Sequence, residues 1–273
     1  MKSVISVLLV MFLFNGLSGY GQEKYCQIVN EATGPGESVT YVVSYSLLLF
    51  WTEVGEVTFR VEQVSYDGKP SLHIIASGST YTFWDWFFKV RDTYQTWTDP
   101  TTLLPYAYKR DVYEGGWEID ISYLFDREKK MAYTTLEKTR KPLTRDTLSI
   151  PDCTYDVLSI VYYARNLDYS VYQPGDTIPV IILLDNEITP VYFRYIGKES
   201  IRVPRKGKFN CIKFSVYLVE GTLFKGGEDM FIWVTDDKNR IPLKITSPIL
   251  VGSVRARLKE YKGLRHQLSS KIR

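Results

Sequence analysis

The chain has 273 residues, 45% of them hydrophobic and 24% charged, and its 34 Lys and Arg stand against 31 Asp and Glu for a formal net charge of +3. Those proportions are those of a globular protein; they exclude a low-complexity disordered chain and give no general field for capturing nucleic acid. The aromatic share of 15%, with 21 Tyr, suits strands more than helices, because flat rings pack well on a pleated surface.

The first residues read as an address. Lys2 supplies a positive n-region, Val4 to Phe14 is apolar apart from Ser6, and small residues Gly19 and Gly21 precede Gln22. This is the layout of a secretory signal peptide over residues 1–21. The run is shorter than the roughly 20 apolar residues that cross a bilayer. Residues 22–36 then read as a linker, a β domain is expected over 37–262, and 263–273 reads as a basic tail, frayed in water. Export to the periplasm or outer envelope permits disulfides. With Cys26 near the new N-terminus, the preferred pair is Cys153 with Cys211; the rival reading makes these two small buried hydrophobes.

From Glu37 onward, strand follows strand. Val39 to Leu49 and Gly55 to Val64 alternate, the second placing Val57, Phe59, Val61 and Gln63 on one side. Asp67-Gly68 is a hairpin turn, since it supplies positive φ. Leu72–Ala76, Asp92–Trp97, Tyr106–Tyr113, Trp117–Phe125 and Met131–Glu137 continue the series. Cap chemistry at Pro151-Asp152-Cys153-Thr154 and apolar residues Val157, Leu158, Val161 and Tyr162 predict one helix, Thr154 to Arg165, lying against the sheet. Strands resume at Thr177–Leu184, Val191–Lys198, Phe209–Val219, Asp229–Thr235, Ile241–Thr246 and Gly252–Tyr261. No repeated βα alternation occurs. The expected fold is mainly β: one large curved antiparallel sheet or incomplete barrel wrapped on a single helix at about residues 154–165. Two packed halves meeting near Pro151 are the alternative.

Several strings, taken together, resemble a known family. They are Gly36-Glu37-Ser38-Val39-Thr40-Tyr41, Phe88-Lys89-Val90-Arg91-Asp92-Thr93-Tyr94, Tyr155-Asp156-Val157-Leu158 and Tyr162-Tyr163-Ala164-Arg165. Further on come Ile232-Trp233-Val234-Thr235-Asp236-Asp237, Arg240-Ile241-Pro242 and Val251-Gly252-Ser253-Val254. Their order and spacing, over about residues 36–262, resemble the bacterial exported family called domain of unknown function 3108. The resemblance implies an exported, mainly β domain and carries no catalytic residues. A looser similarity of topology, to curved sheets that hold lipid or lipoprotein acyl chains in the envelope, rests on fold class, and fold does not fix function.

The sequence holds little visible chemistry. With two His, His73 in a strand and His266 in the tail, there is no short-spaced zinc cluster and no base for a serine triad, and no Gly-x-Ser-x-Gly elbow appears. Gly34-Pro35-Gly36 lacks the Lys of a phosphate loop, so no cofactor is expected. Asp236 and Asp237 read as turn residues. The unusual segment is Tyr81 to Phe88, with six aromatics in eight residues. It reads either as an internal core segment wedged between sheet and helix or as the rim or lining of an apolar pocket, since rings give large contact area at low entropy cost. The candidate ligand-binding residues are therefore Trp84, Trp86, Phe87 and Phe88, with Trp51 from the run Leu47–Trp51. The expected function is a non-enzymatic envelope module that binds a lipid or an acylated partner. A sheet-edge assembly protein and a hydrolase with a scattered site are the alternatives.

Overall fold

The computed structural model describes residues 28–47, 50–218, 227–249 and 251–272. The expected signal segment, most of the expected linker and Cys26 lie outside the described residues.

Sixteen strands form one sheet. The first arm is an antiparallel meander: β1 (Ser38–Leu47), β2 (Phe50–Tyr66), β3 (Lys69–Thr80), β4 (Val90–Thr98), β5 (Pro105–Glu114), β6 (Trp117–Asp126), β7 (Met131–Lys138) and β8 (Lys141–Ser149). A short helix α1 (Asp85–Phe88), preceded by a 3-10 turn, joins β3 to β4. After β9 (Thr154–Tyr155) and helix α2 (Ser159–Ala164), the second arm meanders back through β10 (Thr177–Leu184), β11 (Glu187–Val203), β12 (Gly207–Leu218), β13 (Gly227–Thr235), β14 (Pro242–Pro248) and β15 (Ser253–Lys262). Pairing of β1 with β15 welds the arms into a single sheet. The two-halves alternative is thereby set aside.

The hairpin readings follow their turn chemistry. Asp67 and Gly68 take φ values of 48° and 74°, the positive values that a tight two-residue β-hairpin turn requires. β8 escaped the sequence reading because Lys-Pro-Leu-Thr-Arg-Asp-Thr-Leu-Ser lacks a buried stripe: all of its residues are exposed except half-buried Leu148. It is the outer edge of the sheet, and its charges and Pro142 are what an unpaired edge carries.

The helix is half the expected length. Thr154 and Tyr155 instead form a parallel pair with Ile181 and Ile182 of β10. Asp156 then opens the turn: its Oδ1 accepts from the amides of Leu158 and Ser159, each at 2.8 Å, and Ser159 Oγ accepts from the Asp156 amide at 3.0 Å. This reciprocal arrangement resembles a capping box displaced two residues downstream of the predicted start. Thr154 had the cap chemistry, but tertiary strand pairing claimed it.

The sheet curls around this segment. Leu158 and Tyr162 pack with Val61, Ile74, Ile121 and Phe125 of the first arm, whereas Ile160, Tyr163 and Ala164 pack with Ile178, Phe193 and Phe214 of the second. β10 is buried on both sides, with Val180 and Ile182 facing one core and Leu183 the other, which accounts for its unbroken apolar run Val180–Leu184. Its turn is seated in the first arm: Asp185 meets Arg110 and Lys138, each at 3.3 Å, and the Asn186 amide donates to Tyr123 Oη at 3.4 Å. Side chains, rather than a strand pair, draw the two arms together here.

The C-terminal segment is docked, not frayed. Arg265 Nη1 donates to the carbonyls of Asn30 and Thr33, Leu264 and Leu268 pack on the core, and β16 (Lys271–Ile272) pairs with β12. Asp237 behaves as a turn acid: its Oδ1 accepts from Thr235 Oγ1 and the amides of Asn239 and Arg240, and its Oδ2 accepts from Ser270 Oγ.

The expected Cys153–Cys211 bridge is not formed. Cys211 is a free, buried thiol, whereas Cys153 is disulfide-bonded. Strand geometry is the reason. Neighbouring residues of a strand point to opposite faces, so β12 turns Cys211 toward Val203, Phe209 and Trp233 and away from the cluster of Ile212 and Phe214 that Cys153 touches. Burial pushes the Cys211 thiol up to about 12, making it unreactive.

Candidate apolar cavity

Between α2, the second arm and strands β1 and β2 of the first arm, which contribute Val39, Tyr41 and Phe59, lies a cavity of about 390 Å³. Its floor is the helical side, with Val157, Ile160, Val161 and Ala164. Its walls are the inward residues of alternating strands: Ile182 and Leu184, Val191 and Phe193, Phe214 and Val216, then Ile232 and Val234, with Ile245 beyond. Period-two alternation puts these side chains on one concave face and sends Lys213 and Trp233 to the other. The lining is apolar, and the volume falls within the range of about 300–1,000 Å³ usual for small-molecule sites.

One end of the cavity is closed by a buried ion pair. Arg165 Nη1 and Nη2 donate to Glu37 Oε1 and Oε2 at 2.6 and 2.8 Å, and both side chains are almost wholly out of water. Nε donates to the carbonyl of Asn239 at 3.0 Å and Nη2 also to that of Ala32 at 3.3 Å, so every guanidinium nitrogen has a partner. The guanidinium also lies over the Tyr162 ring, 5.1 Å from the centroid. A bidentate pair with further hydrogen bonds to backbone carbonyls is the geometry in which a buried charge is tolerable. Burial pushes the hydroxyls of Tyr41 and Tyr162 above their ordinary range, so both stay neutral. The opposite end is formed by Leu184, Tyr217 and Met230, where Tyr217 reaches solvent.

None of the predicted ligand residues lines this cavity. Trp86 and Phe87 are 78% and 72% exposed, Phe88 and Trp51 are also exposed, and Trp84 is half-buried with its Nε1 donating to the Glu53 carbonyl at 3.1 Å. Trp84 thus reaches β2 beside the β1–β2 hairpin, whereas Phe88 lies against Gly115 of the β5–β6 turn. The aromatic run is neither core nor cavity wall. The true lining was visible only in part: Val157 and Val161 stood out in the helix reading, while the strand residues were ordinary alternation with nothing to mark them as facing space. His73 is a face residue of β3, stacked on Trp97 at 4.4 Å, with Nε2 3.0 Å from Gln95 Oε1.

A separate acid pair sits in the first arm. Burial, and then the nearby Glu114 charge, push the Asp92 carboxyl up to about 7. Its Oδ1 is buried and has no hydrogen-bond partner. Neither Asp92 nor Glu114 borders the cavity.

A family model described as protein of unknown function, DUF3108, matches residues 40–259. The chain belongs to that family. Comparison with curated proteins returns no match for this DUF3108 chain. Among solved structures it is similar to a β-barrel-like protein of domain of unknown function DUF1849 from Brucella abortus, with a TM-score of 0.52 at 9% identity, covering 83% of this chain and 96% of that one. At that identity the likeness concerns the fold: a large curved sheet approaching a barrel.

Proposed function

We propose that this DUF3108 chain is an exported, non-enzymatic module of the cell envelope that holds one apolar chain in the cavity between α2 and the second arm. The ligand is a lipid or the acyl group of a modified partner. One observation carries this reading: a cavity of about 390 Å³ lined chiefly by aliphatic and aromatic side chains. Such a lining cannot orient a polar substrate, but it rewards burial of methylene groups at about 0.8 kcal/mol each. The ion pair at the closed end is fully used by its own partners, so it sets the depth of the cavity and leaves no free charge to hold a counter-ion. The signal layout at residues 1–21 supports export. The charged, Pro-containing edge of β8 weighs against the alternative of assembly by strand addition.

Native mass spectrometry of the protein purified from envelopes tests the reading. A bound mass equal to a fatty acid or phospholipid, released by organic solvent, is expected. Protein that flies at its bare mass, and that does not enhance the emission of an added fluorescent fatty acid, would end it.

A further inference from the structure

Antiparallel strands reverse direction at each turn, so alternate connections fall at the same end of the sheet. At one end the connections are polar: Asp67-Gly68, Arg127-Glu128-Lys129-Lys130, Pro204-Arg205-Lys206 and Asp236-Asp237-Lys238. At the other end, where the β7–β8 and β10–β11 turns are also polar, four connections carry large apolar side chains held out in water. Phe50 lies at the β1–β2 hairpin, Phe83, Trp86 and Phe87 at the β3–β4 connection, Trp117 at the β5–β6 turn and Val251 at the β14–β15 turn. Turn-making needs none of them, as the polar end demonstrates.

This presentation is built rather than incidental. Asp85 anchors the β3–β4 connection by accepting from Thr80 Oγ1 at 2.6 Å and from both Nη atoms of Arg91. The Val90 amide donates to Thr80 Oγ1 at 3.1 Å, and Tyr81 Oη donates to Glu56 at 2.7 Å. The turn at Gly115 fits against Phe88 so closely that a Cβ there would stand 2.5 Å from the ring. The polar atoms of the tip are therefore tied inward, while Phe83, Trp86 and Phe87 are left outside.

Cations share this end. Lys89, Arg140 and Lys141 are exposed and, among the described residues, have no carboxylate partner. Arg255 lies over the Trp51 ring, 4.1 Å from its centroid. Of the acids at this end, Asp85, Asp185 and Glu53 are paired with Arg91, with Arg110 and Lys138, and with Arg257, whereas exposed Glu118 and Glu187 have no ion-pair partner among the described residues. Trp and Phe beside unpaired Lys and Arg is the composition of a water–bilayer interface, where rings sit at headgroup level and cations meet lipid phosphate. Phe83, Trp86 and Phe87 share the β3–β4 tip, and Phe50 and Trp117 stand on the neighbouring turns. Leu184, Tyr217 and Met230 place the open end of the cavity at this same end of the strands.

We infer that this end of the sheet docks on the surface of an anionic lipid bilayer, with Phe83, Trp86 and Phe87 entering the headgroup region. The inference goes beyond the cavity reading and stands on the rim alone. An empty cavity would leave it intact, and failure to dock would leave the cavity reading intact.

Vesicle flotation of the full chain tests it, with vesicles of equal parts phosphatidylethanolamine and phosphatidylglycerol beside vesicles of phosphatidylcholine. The protein is expected to float with the anionic vesicles. The double variant Trp86→Ser/Phe87→Ser is expected to lose about tenfold or more in partitioning, because two rings no longer leave water. Its urea midpoint should be unchanged, since both positions are exposed. Lys89→Gln/Lys141→Gln, or added salt, is expected to weaken flotation on anionic vesicles only. Three results would overturn the inference: unchanged protein that never floats, a Trp86/Phe87 variant that floats as well as the parent, or binding indifferent to salt and lipid charge. A concentration-dependent dimer lost in the Trp86/Phe87 variant, without vesicle binding, would assign the rim to a second copy and likewise overturn it.

Discussion

Replacing Arg165 with Met isolates what the buried ion pair does. Met matches much of the length of Arg but leaves Glu37 Oε1 and Oε2 without the donors now at 2.6 and 2.8 Å, and it orphans the carbonyls of Asn239 and Ala32. Glu37 is almost wholly buried, so its carboxylate cannot turn to water. A buried charge stripped of its partner costs about 3–5 kcal/mol, which is a large share of the roughly 5–15 kcal/mol that stabilises most domains. Urea unfolding followed by tryptophan emission should show the midpoint of Arg165→Met falling steeply at an unchanged slope. The double variant Glu37→Gln/Arg165→Met removes the stranded charge and should recover about half of the loss or more. A loss below about 1 kcal/mol in the single variant, or no recovery in the double, would show that the pair does not close the cavity in the way described.

Other outcomes follow from burial and charge. Trp86→Ala should cost less than about 1 kcal/mol because the ring is 78% exposed, whereas Phe214→Ala, at a buried wall position, should cost about 3–5 kcal/mol in the same assay. Asp92 has a folded value near 7, above the roughly 3.9 of an unfolded Asp. A raised carboxyl adds stability below its unfolded value and loses it as pH rises through the folded one. Between pH 5 and pH 8 the parent should therefore lose on the order of 1–2 kcal/mol relative to Asp92→Asn, read from paired urea titrations. Labelling of unreduced protein should leave Cys211 untouched in the native state and modify it after denaturation, while Cys153 reacts only after reduction.

Periodicity carried most of the fold. Alternation from Val39 and in Gly55–Val64 placed those strands correctly because each has one wet face and one dry face. β8 did not announce itself because both of its faces are wet, and its strand character comes from pairing with β7 alone. The helix was overextended because cap-forming residues at Thr154 are equally content in a strand when Ile181 and Ile182 offer a ladder. The site was less legible still. Aromatic density drew attention to Tyr81–Phe88, yet density cannot tell a pocket wall from a rim facing outward; that depends on which end of the sheet a connection occupies. The cavity walls are ordinary inward residues such as Phe214, Val216 and Ile232, and what distinguishes them is the space left between two arms and a helix. That space follows from curvature, which no local pattern encodes. Cysteine pairing failed for a related reason, since spacing says nothing about which face of β12 Cys211 occupies.

The central claim is that the cavity receives an apolar chain, and titration of a fluorescent long-chain fatty acid into the parent and Ile232→Trp tests it most directly. Ile232 borders the cavity on β13, and an indole there fills space that the ligand would need, without removing a buried contact. The parent should bind one probe per chain, and Ile232→Trp should lose that binding while keeping its unfolding free energy within about 1 kcal/mol of the parent. Equal binding by both proteins, with the variant folded, would place the probe elsewhere and contradict the account.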